Sequence, residues 1–430
     1  MKPFEKPILV TRPYLPDLKE YQDGIAEIWN NQWLTNNGPV LQRFVKNLET
    51  FFGTPNVCAF NNGTLALQIA LQGMKIEGEV ITTPFTFVAT AHCLVWNNIR
   101  PVFVDIDPIT YTISPEAVEA AITPRTTAIL AVHVFGNPCH LDQLQVIADK
   151  HRLALIYDAA HAFGVKIVEQ RSGIRGQKSE GGGLVADTDN QARWSEAETI
   201  RQQSKAQAVI RQSGNNAILK DIGLFGDCSM FSLHSTKLYH SIEGGLLTFN
   251  NPAYKKTFEY LRNFGFENEI EVMMVGTNAK MNEMQALMGD LMLPKVPEII
   301  AKRKRLTQAY FEGLKDIPGI DVHCVNHSLY SVNSLIPNFA YLPVEIAPEY
   351  GLSRDVLYEK LKTFNVFARR YFYPLLTDFA CYKATGYATG EGLEKAKGVA
   401  DRIVTLPIYF DLEVDDVRRM CEMIASFRKG

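Results

Sequence analysis

From about residue 57 the chain alternates short runs of apolar and β-branched residues with segments long enough to form helices. This alternation predicts an α/β fold in which helices sandwich a mainly parallel sheet, because crossover helices join parallel strands and cover both sheet faces. Ligands bind at the carboxyl ends of the strands in such sheets, so we expect a functional site there. The predicted strands are VCAF, EVITT, PVFVDI, AILAVHVF, LALIYD, MFSL and GGLLTF.

The length of 430 residues exceeds what a single hydrophobic core normally serves, which predicts two domains. After about residue 290 the pattern changes to a long charged helix, KVPEIIAKRKRLTQAYFEGLKD, followed by mixed strand and helix segments. We therefore predict a large domain over residues 1–290 and a smaller C-terminal α+β domain over residues 291–430.

Residues 168–221 interrupt this organisation, since they are rich in Gln, Arg, Ser and Gly and poor in aliphatic residues. We interpret them as an atypical insertion, with a helix over roughly residues 192–212 and a flexible stretch at the glycines 181–183. A passive surface loop is the simpler interpretation of such a segment, and a functional role is the alternative.

Charge and cysteine usage exclude several classes of protein. The formal net charge is -3 and no Lys/Arg run is long, which argues against nucleic-acid binding and favours a small-molecule partner. Seven cysteines without a CxxC pair argue against a disulfide framework or a metal site and fit a reducing cytoplasm. No run of 18 apolar residues and no signal-peptide core are present, so we expect neither membrane spanning nor export.

Three polar residues follow predicted strands closely enough to carry chemistry. Lys237 stands after the strand in MFSLHSTK, and an amine held there in partly neutral form could form an imine with an aldehyde; an ordinary exposed lysine is the alternative. Asp158 ends LALIYD, where a partly desolvated carboxylate could keep a pyridinium nitrogen protonated, although such aspartates also cap helices or bind metals. His161, three residues later, could face a cofactor ring or be a core histidine.

Two further strand ends offer groups suited to a phosphorylated aromatic cofactor. Gly63 and Thr64 open the helix that follows VCAF, where free backbone N–H groups and a hydroxyl could hold a phosphate, and a simple helix cap is the alternative. Ser232 could add a second hydroxyl. Phe87, just past EVITT, could lie on the cofactor ring or belong to the core.

Taken together and in this order, these segments resemble the DegT/DnrJ/EryC1/StrS family of sugar aminotransferases, which use pyridoxal 5'-phosphate (PLP) and have the fold-type I architecture. The resemblance covers nearly the whole chain, apart from residues 168–221. The segments that carry it are QWLTNNGP, NNGTLAL, TPFTFVAT, DAAHAFG, GDCSMFSLHSTK, EGG, LRNFGF, GTNAKMNEMQA, RRYFYPLL and LPIY.

The resemblance implies a role for individual residues of the cofactor site. Lys237 matches the lysine that forms the imine with PLP, Asp158 the partner of the pyridine nitrogen, and Phe87 the aromatic residue that stacks on the ring. The positions that bind the phosphate or face the cofactor are matched by Gly63, Thr64, Ser232 and His161.

Other matched positions imply shared active sites and substrate contacts. Asn263 resembles an asparagine that reaches the phosphate in the neighbouring subunit, which implies a homodimer. Asn278 and Lys280 match a segment near the active site. Arg369 is a weaker candidate for contact with a nucleotide diphosphate, since exposed arginines are common on protein surfaces.

The resemblance also implies the reaction. Relatives with histidine in place of Lys237 dehydrate the sugar, so the lysine favours transamination, with Lys237 as general acid and base and glutamate as amino donor. The form FSLHSTK followed by EGG is most similar to enzymes that aminate C4 of a dTDP-linked 4-keto-6-deoxyhexose, which feeds deoxyamino-sugar and polysaccharide biosynthesis. Open alternatives are amination at C3, a UDP- or CDP-linked substrate, a PLP-binding regulatory protein without turnover, and a chain inactivated by the insertion.

Overall fold

The computed structural model describes residues 2–170, 211–213, 217–322, 335–387 and 391–428. The strands are β1 (Ile8–Leu9), β2 (Val57–Phe60), β3 (Glu79–Thr82), β4 (Arg100–Phe103), β5 (Thr126–Val132), β6 (Ala154–Asp158), β7 (Lys166–Gln170), β8 (Arg211–Ser213), β9 (Ala217–Asp221), β10 (Cys228–Ser232), β11 (Gly245–Phe249), β12 (Ile320–Val322), β13 (Leu335–Ile336), β14 (Leu342–Ile346), β15 (Val366–Phe367) and β16 (Ile403–Leu406). The α-helices are α1 (Leu18–Asn31), α2 (Pro39–Phe52), α3 (Gly63–Gly73), α4 (Val88–Trp96), α5 (Pro115–Ala120), α6 (Leu141–His151), α7 (Tyr254–Leu261), α8 (Glu283–Met292), α9 (Val296–Leu314), α10 (Arg354–Thr363), α11 (Ala380–Thr385), α12 (Glu394–Arg402) and α13 (Val414–Phe427).

The largest sheet in the described part of the chain has seven strands in the order β2-β11-β10-β6-β5-β3-β4. Neighbouring strands from β10 to β4 are parallel, whereas β11 is antiparallel to both of its neighbours. In β2, Val57 and Ala59 enter one hydrophobic core and Cys58 and Phe60 another, because successive side chains point to opposite faces. Helices cover both faces, so the prediction of a mainly parallel sheet between helices is confirmed.

Two predicted strands end three residues earlier than the sequence suggested. PVFVDI predicts a strand to residue 106, whereas β4 ends at Phe103. The run AILAVHVF predicts a strand to residue 135, but β5 ends at Val132 and Val134–Gly136 form a 3₁₀ turn. Phe135 has a φ of 58° in this turn. The prediction was wrong there because the β-branched run continues past the end of the strand. The last pair between β5 and β6 joins Val132 to Asp158, and the backbone leaves the sheet after it.

A second hydrophobic core lies around the antiparallel strands β12, β14 and β16. Phe4 and Ile8 are buried in it, and β1 pairs with β15 in parallel. The long helix predicted from the charged segment is α9, which places Val296 in the first core and Leu306 in the second. The division into domains at residue 290 stays a prediction, and we call the part around this second core the small lobe.

The ends of the predicted insertion 168–221 form an antiparallel sheet. β7 pairs with β9 from Lys166 opposite Asp221 to Gln170 opposite Ala217, β8 pairs with β9, and β13 pairs with β7. The predicted helix over about 192–212 lies outside the described residues, except that Arg211 and Gln212 belong to β8. The glycines 181–183 also lie outside the described residues.

Some classes of site are missing from the described residues. Their six cysteines are free, and no group of His, Cys, Asp or Glu among them has the arrangement of a metal site. None of their helices combines the length and the apolar character needed to cross a bilayer.

Candidate active site

Asp158 is the last residue of β6, near the middle of the large sheet, and it is 4% exposed. The Thr90 hydroxyl donates a hydrogen bond to Oδ2 over 2.8 Å, and the backbone N–H of Ala160 donates to Oδ1 over 3.1 Å. Burial raises the pKa of Asp158, while Thr90, Ala160 and the charge of Lys237 act in the opposite direction. The carboxylate is thus fixed in direction and largely shielded from water, as a partner of a pyridinium nitrogen must be.

Lys237 lies in the turn that follows β10, and its own N–H donates to the carbonyl of His234 over 2.8 Å. Burial lowers the pKa of the Lys237 amine, an effect that Tyr371 and Asp158 partly oppose. A lowered pKa increases the fraction of neutral amine, which is the form that attacks a carbonyl or accepts a proton.

The backbone of the sheet brings Asp158 and Lys237 to the same site. Met230 of β10 pairs with Asp158, and the N–H of Ala159 donates to the carbonyl of Met230 over 2.7 Å. The charge of each of the two side chains shifts the pKa of the other. The insertion therefore leaves this meeting point intact, because β7 and β9 hold its two ends side by side.

Gly63, Thr64 and Ser232 lie together at the amino end of α3. A Cβ placed on Gly63 would lie 3.3 Å from the Cβ of Ser232 and 3.0 Å from the sulfur of Met230. Asn62 caps the helix by accepting a hydrogen bond from the N–H of Leu65 over 2.8 Å. A helix amino end beside two hydroxyl side chains is suited to an anion such as a phosphate.

His161 and Phe87 flank the same strand ends in different surroundings. His161 is buried, its Nδ1 accepts a hydrogen bond from the N–H of Phe135 over 3.1 Å, and its ring centroid is 4.4 Å from that of Tyr341. Burial and the charge of Lys237 lower its pKa well below the usual range, so the ring is neutral with its proton on Nε2. Phe87 immediately precedes α4 and is 58% exposed, which leaves an aromatic face free near Thr90.

The predicted substrate residues form two separate groups. The amine of Lys280 donates to the side-chain oxygen of Asn263 over 2.9 Å, and Asn263 forms a backbone bridge with Asn278. Within one chain, no hydrogen bond of the described residues links Asn263 to Gly63 or Ser232. Arg369 is exposed, and its guanidinium carbon is 5.6 Å from the Tyr371 ring centroid.

The sequence model of the DegT/DnrJ/EryC1/StrS aminotransferase family matches residues 17–180 and 198–425. The chain belongs to this family. Residues 181–197, inside the predicted insertion, lie outside the matched ranges. The cofactor of this family is PLP. The fold and the family together make the protein a PLP-dependent aminotransferase.

Full-length relatives support the same assignment. A dTDP-4-amino-4,6-dideoxy-D-glucose transaminase of Shigella dysenteriae is 38% identical over 99% of this chain and 100% of its own. An Escherichia coli protein of the same name is 37% identical over 98% of each chain. The crystal structure of DesI, determined in the presence of its TDP-sugar product, has a TM-score of 0.81 and 31% identity and covers 100% of this chain and 94% of its own.

The site of this aminotransferase fits PLP in its donor groups and shape. Four groups lie at neighbouring strand ends. They are a buried carboxylate, a half-buried amine, an exposed aromatic ring, and a glycine beside which an added Cβ would leave less space. In their chemistry these groups would suit, in turn, the pyridine nitrogen, the aldehyde, the ring face and the phosphate of the cofactor.

Several residues beyond residue 335 lie close to this aminotransferase site and were not identified from the sequence. The hydroxyl of Tyr341 lies 3.4 Å from Nζ of Lys237, and the ring of Phe372 is parallel to that of His161 at 5.9 Å between centroids. The charge of Lys237 affects the pKa of Tyr371. RRYFYPLL was noted as a segment of the resemblance, but NFAY around Tyr341 carries no motif that would have identified it.

Proposed function

We propose that this aminotransferase transfers the amino group of glutamate to C4 of dTDP-4-keto-6-deoxyglucose, giving the 4-amino-4,6-dideoxy sugar. The observation that carries the proposal is that Lys237 and Asp158 lie together at the carboxyl ends of two neighbouring strands. Transamination needs both groups on the same cofactor. The choice of sugar rests on the names of the two full-length relatives and on the TDP-sugar product of DesI.

The residues of the site divide the binding of PLP between them. Asp158 would hold the pyridine nitrogen in protonated form, Phe87 would cover a ring face, and Gly63, Thr64 and Ser232 would bind the phosphate. His161 would face the ring with its Nε2 proton available as a hydrogen-bond donor. When bound, PLP supplies an electron-poor ring that accepts the electron pair released at the α-carbon of the donor.

Lys237 would move protons at two carbon atoms. Its neutral amine takes the proton from the α-carbon of glutamate, and in the second half of the reaction it returns a proton to C4 of the sugar. Burial lowers the pKa of this amine, which raises the fraction of the neutral form that can accept a proton. Because the donor leaves before the sugar enters, the kinetics should be ping-pong.

Incubation of the purified protein with PLP, glutamate and the keto-sugar, followed by NMR of the product, tests this function. We expect a new amine at C4 with the dTDP-linked 4-keto sugar and much slower turnover with dTDP-3-keto, UDP-linked and CDP-linked sugars. Lys237→Ala should abolish turnover, whereas Lys397→Ala, at an exposed lysine of α12, should leave it unchanged. Normal turnover of Lys237→Ala would refute the role of Lys237, and PLP binding without transfer from any donor would favour a regulatory protein.

A homodimer with shared active sites is a further part of the proposal. The segment after α7 exposes apolar side chains, with Ile270 89% and Val275 85% exposed, as expected of a surface that a second subunit covers. Asn263, at the start of this segment, would then reach the phosphate in the partner's site.

Mixing two inactive variants tests the sharing of sites. Lys237→Ala and Asn263→Ala chains, co-expressed with different tags and purified as mixed dimers, should regain part of the activity, because one of the two sites then has both intact residues. Mixed dimers that stay inactive, or a protein that sediments as a monomer while active, would contradict the sharing.

A further inference from the structure

The segment of residues 338–341, which immediately precedes β14, is hydrogen-bonded to the loop that follows Asp158. The side-chain amide of Asn338 donates to the carbonyls of His161 and Phe163 over 2.8 and 3.0 Å, and its oxygen accepts from the N–H of Ala340 over 3.1 Å. Asn338 is 2% exposed and uses both of its polar atoms in these bonds. The end of the segment, Tyr341, is therefore held in a fixed place relative to the large sheet.

Arg303 of α9 fixes the same segment from the other side. Its Nη1 donates to the carbonyl of Ala340 over 2.8 Å, and its Nε has no hydrogen-bond partner among the described atoms. Arg303 is buried, and no carboxylate of the described residues forms an ion pair with it. Burying a guanidinium costs free energy unless the group is hydrogen-bonded or paired. The positive charge of Arg303 acts to lower the pKa of Tyr341, against the effect of burial.

Tyr341 brings its hydroxyl to the amine of Lys237, with 3.4 Å between the two atoms, while its ring packs on His161. Burial raises the pKa of the Tyr341 hydroxyl, so the phenol is neutral in the working range of the enzyme. A neutral phenol oxygen can accept a hydrogen bond from Nζ of Lys237 and keeps its own proton for another acceptor.

We propose that Tyr341 is a further catalytic residue, whose hydroxyl oxygen accepts a hydrogen bond from Nζ of Lys237 and stabilises the ammonium that forms when Lys237 takes the proton of the donor. The inference rests on the proposed role of Lys237. The bond is strongest when the amine is charged, so it lowers the energy of the state reached by proton transfer more than that of the neutral amine. Tyr341 loses no proton in this role.

The variant Tyr341→Phe separates the hydroxyl from the ring, because the ring packing on His161 is retained. The matched control is Tyr350→Phe, which also removes a buried hydroxyl, one that donates to the carbonyl of Ile424 over 2.7 Å inside the second core. Both proteins are loaded with PLP and compared with the wild type.

Three measurements distinguish a catalytic hydroxyl from a structural one. For Tyr341→Phe we expect kcat to fall by roughly 10- to 100-fold with little change in KM for the sugar, less than the loss of a direct acid–base group. The isotope effect with glutamate deuterated at the α-carbon should rise, because proton transfer becomes slower relative to the other steps. In the PLP-free protein, competitive acetylation read by peptide mass spectrometry should give a lower pKa for Lys237, because its ammonium has lost an acceptor.

The results for the two variants either support or contradict the proposed role of Tyr341. Tyr350→Phe should match the wild type in all three measurements. A Tyr341→Phe enzyme with wild-type kcat overturns the proposal, and so does a slower enzyme in which the isotope effect and the pKa of Lys237 are unchanged, since that pattern indicates a structural role. If Lys237→Ala itself retains turnover, the proposed function fails first, and the two failures are thereby distinguishable.

Discussion

The hydroxyl of Thr90 donates its single proton to Oδ2 of Asp158, so the 2.8 Å contact between the hydroxyls of Thr86 and Thr90 must have Thr86 as donor. Both threonines are buried. Together they form a directed chain of hydrogen bonds that ends on the carboxylate proposed to hold the pyridine nitrogen. Such a chain stabilises the ionised form of Asp158 against the effect of burial.

Thr90→Val should weaken the function of Asp158 while keeping the shape of α4. Without the hydroxyl, the pKa of Asp158 rises further, so a larger share of the carboxyl is neutral and the ring nitrogen is less firmly protonated. We expect weaker PLP binding, measured by fluorescence titration, and a kcat lower by roughly tenfold, the effect of one lost hydrogen bond to a charged group. Thr90→Ser should restore both values, and a Val variant with wild-type PLP affinity would contradict this role.

Gly63→Ala should lower the affinity for PLP, because the added Cβ would lie 3.3 Å from Ser232 and 3.0 Å from Met230, inside the proposed phosphate cradle. The matched control is Gly398→Ala in α12, where the nearest atom to an added Cβ is the flexible end of Arg402 at 3.3 Å. Equilibrium dialysis against PLP measures the effect. Equal dissociation constants for the two variants would show that the phosphate does not bind at Gly63.

Asp221 should make the protein less stable as the pH rises. Burial raises the pKa of this carboxyl to about 7, although the N–H of Gly223 and the charge of Lys166 favour its ionised form. In the unfolded chain it ionises at about pH 4, so between about pH 4 and pH 7 the folded protein holds more protons and loses stability on raising the pH.

Asp221→Asn should remove that dependence. We compare the free energy of unfolding of the variant with that of the wild type. From about pH 5 to about pH 8 this difference should shift in favour of the variant by roughly one to a few kcal/mol, since one pKa unit corresponds to about 1.4 kcal/mol. Urea unfolding at the two pH values measures the difference. A difference between the two proteins that does not change with pH would show that Asp221 ionises normally in the folded state.

Replacing residues 171–216 by a two-residue Asn-Gly turn should leave the large sheet and the site intact. Gln170 and Ala217 are directly paired in the antiparallel ladder of β7 and β9, so a two-residue turn can join them. We expect PLP binding and transamination to persist in the shortened protein. Unchanged activity would make the insertion passive, altered substrate preference would assign it a role in substrate binding, and lost PLP binding would contradict the expectation.

The large sheet could be predicted from the sequence because local signals agreed with the final structure. Apolar runs form β2, β6 and β10, Asp158 is the last residue of β6, and Lys237 follows β10. The boundaries were less predictable, since the β-branched run that forms β5 continues into the turn at Phe135.

Tyr341 could not be identified from the sequence, and the reason is physical. Tyr341 contacts Lys237 across 104 residues of the chain. Its position depends on the side-chain bonds of Asn338 to the carbonyl of His161 and of Arg303 to the carbonyl of Ala340. No periodic pattern encodes such a contact. The same holds for β1 and β15, two-residue strands too short to show any alternation.

The pairing of β1 with β15 also bears on when the protein can fold. Phe4 and Ile8 are synthesised before any strand of the large sheet, yet their partners in the second core include Ile424 and Phe427. The large sheet has all its strands once residue 249 has been made, so it can assemble during synthesis. The second core includes residues of α13, so it can be completed only after residue 427 has been made, later than the large sheet.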